Sequence, residues 1–204
     1  MKKKSNLLII IAPILYVLAV IIGGALKENY SHIFNSISEL SLVGTERIFV
    51  VELLFTIYNI LIIFYSIYNL CVSWKKLKKL QIFTLLSILL CGIGGIIAII
   101  FPQETRNSTL TFVGMMHFVA AGITAITSMS ATLLSAFEYK YDEKAKKYSV
   151  YSLITFFIVL VFGALGPIMI STGIDTYFGV VERITIGAFM IWLFMTGLTK
   201  YRSR

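Results

Sequence analysis

The chain has little of what a water-soluble catalytic domain is built from. Charged residues make up 14% of its 204 positions against 58% hydrophobic, and the mean hydropathy is +0.88, which excludes a soluble globular domain. Cysteine is nearly absent: Cys71 and Cys91 both sit in apolar runs. Two thiols exclude a disulfide framework and a four-thiolate zinc centre, which leaves them as small packing residues. Histidine is equally scarce, with only His32 and His117. No His-x-x-x-His or Glu-x-x-His spacing sets two ligands on one helix face, so no metal and no cofactor is expected. Of the three prolines, Pro102 and Pro167 fall at or near span ends, where a missing N–H costs least, and Pro13 falls inside the first span, where it can kink the helix.

Basic residues are present in number, giving a net charge of +8, and their placement is informative. Fourteen of the 18 Lys and Arg residues lie in four short patches, Lys2 to Lys4, Lys75 to Lys79, Lys140 to Lys147 and Lys200 to Arg204. Short Lys/Arg-rich loops stay cytoplasmic, so these patches fix a topology and attract anionic inner-leaflet lipids. They are not interleaved with aromatics on a soluble surface, and no nucleic-acid partner is expected. The four remaining basic residues, Lys27, Arg47, Arg106 and Arg183, fall in breaks on the opposite side, with most of the acids and His32 in or near those breaks. Chemistry, if any, belongs on that extracytoplasmic face.

The apolar stretches predict an all-α membrane bundle, a single integral domain over 1–204 with six spans at approximately 7–26, 48–74, 80–101, 109–137, 148–170 and 184–198. Both termini are then cytoplasmic, in a cell membrane. The first stretch also has the basic start and apolar run of a signal peptide; it exceeds the usual h-region of about 7–15 residues, and a retained helix is expected. Tyr30, Trp74, Phe101, Tyr139, Tyr141, Tyr148 and Tyr177 cluster near span ends, as rings at headgroup level do. Outward-going helices turn Gly-rich (Gly23-Gly24; Gly92, Gly94, Gly95; Gly163, Gly166), and acid–arginine pairs precede the returning ones (Glu46-Arg47, Glu104 with Arg106, Glu182-Arg183). Duplication of one hairpin would produce this, and so would chance combined with interfacial anchoring. Asn107-Ser-Thr109 is a glycosylation sequon, meaningful only where the host glycosylates.

His117 is the sharpest single residue, about 12 Å into the fourth helix counted at 1.5 Å per residue from Thr109. Its neighbours at steps of three and four, including Gly114, Ala121, Thr124 and Ser128, form a small, polar stripe, which turns it towards the bundle interior. An ionisable group at membrane depth is a functional candidate; the alternative is a neutral histidine that ties two helices together. Glu52 starts a second stripe with Thr56, Asn59, Ser66 and Asn69, and a third runs from Gln81 through Thr84 and Cys91 to Gly95. A lone carboxylate in low dielectric stays protonated or seeks a cation, with His117, Arg47 and Arg183 as partners for Glu52. Such stripes line a water-filled path or simply let helices approach closely in lipid. The loop from Asn29 to Gly44 carries His32, Ser36, Ser38, Glu39 and Ser41 among Ile33, Phe34, Ile37, Leu40 and Leu42. That alternation suits an amphipathic segment at the interface, and a Ser–His pair there has the elements of a nucleophile with its base.

Ile37-Ser-Glu-Leu40, the Gly-rich third helix ending Phe101-Pro-Gln-Glu104, His117 in the next helix, and Gly179 to Arg183 leading into the Trp192-bearing last helix together resemble the DUF998 family, prokaryotic integral-membrane proteins of unknown function. The resemblance covers nearly the whole chain. It implies six helices in a membrane and supplies no reaction. In that family the first loop commonly reads Ser-Asp-Leu-Gly and the third helix ends Phe-Pro-x-Asp; here Ser38-Glu39-Leu40-Ser41 and Glu104 keep the carboxylates but not the glycine. A fainter similarity to membrane hydrolases that combine Ser, Asp and three His stops at the histidines, of which this chain has two.

The sequence therefore predicts a polar pocket on the extracytoplasmic side, bounded by the first loop, Glu104, His117 and Glu182-Arg183, that binds or modifies a lipid or other amphiphile. Ser38 and Glu52 belong to its lining, and Arg183 or Arg106 is placed to meet a phosphate or carboxylate headgroup. An enzymatic version uses His117 with Glu39 or Glu104 as base and orienting acid in lipid hydrolysis or transfer. A small transporter with a polar path along helices two to four and an accessory subunit without chemistry are the alternatives. Membrane lipids are the expected partners, with self-association or another membrane partner open.

Overall fold

A computed structural model describes residues 2–42, 48–105, 109–174 and 176–202. Six long helices carry the chain: α1 (Lys2–Leu26), α2 (Phe49–Ser73), α3 (Lys79–Ile100), α4 (Phe112–Glu138), α5 (Lys146–Thr172) and α6 (Phe178–Arg202). Each is long and apolar enough to cross a membrane, and the described residues contain no strand. Helices are the natural outcome, since a segment in hydrocarbon must satisfy its own N–H and C=O groups. Short 3₁₀ turns at Ser38–Ser41 and Trp74–Lys76 punctuate the loops.

The expected spans agree in number and differ at their ends. The last helix begins at Phe178, not at Ile184, so Glu182 and Arg183 stand on α6 and not in the break before it. The reason is local: Val180 N and Val181 N both bond to Tyr177 O, starting the helix within the polar stretch. At the other end of that break, Gly173 adopts φ +70° and its N–H bonds to Ile170 O, the left-handed stop that glycine provides.

Packing contacts run α1–α2, α2–α3, α3–α4, α4–α5, α5–α6 and α6–α1, so the helices form a closed ring. The lysine-rich end of the ring is filled. Tyr65, Ile62, Ile88, Trp192 and Leu193 are almost fully buried there. Trp192 Nε1 donates to Ser152 Oγ at 2.9 Å, Tyr148 Oη and Thr196 Oγ1 lie 2.6 Å apart, and Ser149 Oγ donates to Ala136 O at 2.6 Å. These bonds lock α4, α5 and α6 together where lipid offers no competing partner, each worth about 0.6–2 kcal/mol. Gln81 bonds Lys78 N at 3.0 Å and Glu138 Oε1 at 2.9 Å, tying the start of α3 to the end of α4.

The polar stripes are largely self-satisfied. Ser66, Thr84, Ser87 and Thr127 each donate to a carbonyl four residues back on their own helix, at 2.7–2.9 Å. Hydroxyls used this way need no water, so these stripes serve close helix packing.

The other end of the ring carries the first loop. Its residues Ser36, Ile37, Glu39 and Leu40 are buried, with Leu40 against Gly23 and Val51. The loop thus folds over the ring end like a lid.

Candidate functional site

Beneath that lid lies a cavity of about 580 Å³, within the size range of ligand pockets. Its existence follows from α5. Every buried residue of that helix, Tyr148, Ser149, Ser152, Thr155 and Val159, lies in its first half. Beyond Val159 the helix stays beside α6, with Gly163 facing Thr185 and Gly166 facing Phe178 at ordinary contact distance. Pro167 in this half offers no N–H to the Gly163 carbonyl. On the facing wall, a Cβ placed on Gly122 of α4 would meet no atom within 4 Å. The seam between α4 and α5 is therefore open towards the loop end. Phe118 and Ile170, which line the cavity, are 54% and 52% exposed at this gap.

Polar groups gather at the loop end of the cavity. Ser38, Glu52, Gln103, His117 and Glu182 all line it. Glu182 accepts from the Ile37 N–H and, at 3.5 Å, from Ser38 Oγ, which joins α6 to the lid. Gln103, just after α3, accepts from Ser36 Oγ at 3.2 Å. His117 is 8% exposed, and its Nδ1 lies 2.9 Å from Phe101 O. A carbonyl only accepts, so Nδ1 carries a proton and, in the neutral ring, Nε2 holds the lone pair. Deeper in the cavity wall, Asn59 is 4% exposed; its Nδ2 donates to Phe55 O at 2.9 Å, while the buried Oδ1 has no hydrogen-bond partner among the described residues. That amide occupies the notch left by Gly95, where a Cβ would overlap it.

Other expected site residues hold structure together. Glu39 accepts from Asn35 Nδ2 and its N–H bonds Ser36 Oγ at 3.1 Å, within the lid. Arg183 spends Nη1 on Asn35 O at 2.8 Å and Gly179 O at 2.9 Å, and Nη2 on Tyr30 Oη. Its guanidinium faces one main-chain carbonyl of the lid and one of α6, a different use from meeting an anionic headgroup, and its buried Nε has no hydrogen-bond partner among the described residues. Lys27 likewise donates to Glu39 O. Glu104 accepts from Thr111 N at 3.1 Å and from Thr111 Oγ1, and it packs on Gly114, so it braces Thr111, the N-cap residue of α4. Arg106, Arg47 and Glu46 lie outside the described residues, as does most of the sequon.

Burial governs ionisation in the lid. Tyr30 is pushed up to about 12 by burial, with the Arg183 charge pulling the other way, so it stays a phenol that donates to Ser36 O at 2.7 Å while accepting from Arg183. Burial lowers Lys27 against the opposing pull of Glu39. His32 is lowered too, first by burial and then by Arg183.

Sequence reasoning missed Gln103, Tyr30 and Asn35 as lid partners and Gly122 as a gap in the wall. The Pro-Gln step after α3 was a visible signal for the first; the rest depend on partners far away in the chain. Because Glu104 holds the Thr111 cap in place, Glu104→Ala is expected to cost about 1 kcal/mol through a frayed α4 start, read as a lower thermal midpoint.

No curated protein and no solved structure matches this chain. The profile of the family described as "Protein of unknown function (DUF998)" matches residues 10–199, in agreement with the resemblance carried by the loop and helix-three residues. The chain belongs to the DUF998 family.

Proposed function

We propose that this membrane protein binds a lipid or other single amphiphile in the cavity, with the headgroup at the loop end and the chain leaving between α4 and α5. The carrying observation is the combination of a polar end with a gap that faces the hydrocarbon. Glu182, Ser38, Gln103 and His117 lie at one end; Phe118, Gly122, Gly166 and Ile170 frame the gap. The lid covers the ring end, which leaves the lateral seam as the route in. The basic patches support an orientation with the lid extracytoplasmic and both termini cytoplasmic in the cell membrane.

Binding is favoured over conduction. Towards the lysine-rich end the interior is occupied by Tyr65, Ile88, Trp192 and Leu193, and stripe hydroxyls are turned to their own helices. His117 is the residue in this pocket equipped to take a proton from the headgroup, through Nε2. Its Nδ1 partner is a main-chain carbonyl, not the expected Glu39 or Glu104, and a carbonyl stabilises an imidazolium less than a carboxylate does. Ligand capture is accordingly the core of the reading, with lipid hydrolysis or transfer at His117 as its enzymatic extension.

Native mass spectrometry of protein released from membranes into a mild detergent tests the reading. About one amphiphile per chain is expected, and its loss on mild delipidation should lower the thermal midpoint. A chain that carries no amphiphile and gains no stability from added membrane lipid extract overturns it. For the enzymatic extension, His117→Ala should keep the bound lipid and abolish its conversion; unchanged lipid composition in cells carrying His117→Ala refutes that extension alone.

A further inference from the structure

The back wall of the cavity carries two tyrosine hydroxyls that the protein itself does not use. In the ring of six, α1 and α2 stand opposite the gap between α4 and α5. Tyr58 of α2 is 4% exposed and lines the cavity. Its hydroxyl makes no hydrogen bond among the described residues, and its oxygen is not sealed into the packing as Asn59 Oδ1 is. The surface left to it therefore opens on the cavity. Tyr16 of α1 lines the cavity beside it, with a hydroxyl likewise unbonded among the described residues and not sealed in.

The two rings are held by their neighbours. The Tyr16 ring lies 5.0 Å from Tyr58 at 70° and 4.9 Å from Phe55, so the hydroxyls stand on a fixed aromatic wall. They stand at matching depth: counted from the lid ends of α2 at Phe49 and α1 at Leu26, both tyrosines are about 14–15 Å in at 1.5 Å per residue. That level is below the polar end made by Ser38, Gln103 and Glu182. An O–H group kept from water there is costly until it finds an acceptor. The Cys91 thiol on the same wall is a weak acceptor and is engaged with Thr127. A phenol donates more readily than it accepts, so the wall calls for an acceptor on the ligand. A carbonyl oxygen fits, because it accepts and brings no donor of its own.

We propose that the ligand, within the amphiphile-binding reading above on which this rests, joins its head to its chain through a carbonyl, as an acyl ester or amide does, and that Tyr58 and Tyr16 donate to that carbonyl oxygen. The head then lies under the lid, the carbonyl meets the back wall, and the chain crosses to the gap between α4 and α5. The site distinguishes acyl-linked amphiphiles from ether-linked ones of the same head and length. The protein loses nothing of its own when either hydroxyl is removed, since neither bonds to another described residue.

The test is a competition assay on the full-length protein in a non-ionic detergent, with a dansyl-labelled fatty acid as the displaced probe. The two competitors are monolauroylglycerol and the dodecyl ether of glycerol, which share a head and a chain length and differ in the carbonyl. The ester is expected to compete at least threefold more tightly than the ether. Tyr58→Phe should reduce that ratio, and Tyr58→Phe combined with Tyr16→Phe should bring it to about one. The ratio cancels any change in affinity for the probe. Tyr68→Phe, on α2 but outside the cavity lining, should leave it as in the parent protein. Both cavity variants should keep the thermal midpoint of the unliganded protein. Equal competition by ester and ether overturns the inference while amphiphile binding stands. An ester preference that survives in the double variant also overturns it, because the hydroxyls would then not be its source. A lowered midpoint of unliganded Tyr58→Phe overturns it too, by showing that the hydroxyl serves the bundle. If neither probe nor competitor binds, this inference and the amphiphile-binding reading fail together.

Discussion

Gly122→Trp is expected to leave the bundle folded and to abolish amphiphile binding, with at least a tenfold loss of affinity. Nothing lies within 4 Å of a Cβ at this position, so the substitution meets no resisting neighbour. It also replaces a poor helix former inside α4 with a better one. The indole, with about 150–250 Å² of surface to cover, then fills the gap between α4 and α5 through which the proposed amphiphile's chain would leave. Gly187→Trp is the matched control. Gly187 on α6 also has nothing within 4 Å of a Cβ, and it does not line the cavity. Thermal unfolding separates the outcomes: both variants should keep the wild-type midpoint measured without ligand, and only Gly122→Trp should lose the ligand-induced rise. Equal binding by both variants would show that the ligand does not pass this seam.

Arg183→Ala carries the largest expected loss of stability. The guanidinium holds Asn35 O, Gly179 O and Tyr30 Oη together, and Tyr30 in turn holds Ser36 O. Removing it leaves two part-buried acceptors, Asn35 O and Tyr30 Oη, without this charged donor, at about 3 kcal/mol together. For a chain of this length that is roughly a 6–12 °C fall in thermal midpoint. Because the lid is what comes loose, trypsin should cut after Lys27 in the variant far faster than in the parent protein. Arg183→Lys should rescue little, since one ammonium cannot serve carbonyls and a phenol in two directions. A wild-type midpoint with a protease-resistant loop would refute this role.

Hydrophobicity and lysine placement made the number of helices legible, because length and apolarity alone decide what can cross a bilayer. The boundary at α6 was not, since Glu182 and Arg183 read as a break unless one knows that the lid supplies their partners. Ile37 N and Asn35 O lie about 145 residues away in sequence. The interior position of His117 was readable from its stripe of small neighbours, whereas its partner, Phe101 O, depends on how α3 ends beside α4. The polar end of the cavity was anticipated through Ser38, Glu52, His117 and Glu182, but its opening between α4 and α5 was the least legible feature. That opening arises from a helix that leaves its neighbour halfway along, and its local marks are Gly163, Gly166 and Pro167 on α5 with Gly122 on α4. The structural use of Glu104 was not legible either: its carboxylate accepts from Thr111, the residue that caps α4, seven positions on.

The ring closes between its first and last members, and this gives the chain an order of assembly. Ile9 and Ala12 of α1 are fully buried, in one cluster with Trp192 and Leu193 of α6, and Gly197 lets the Asn6–Ile10 turn approach closely. Until α6 is made, the nascent protein is an open crescent with one flank of α1 bare to lipid. The wall that carries Glu182, and the arginine that fastens the lid, arrive with that same last helix. Cavity wall, lid and closure therefore all depend on α6, and a chain lacking that helix has neither a sealed interior nor a complete cavity.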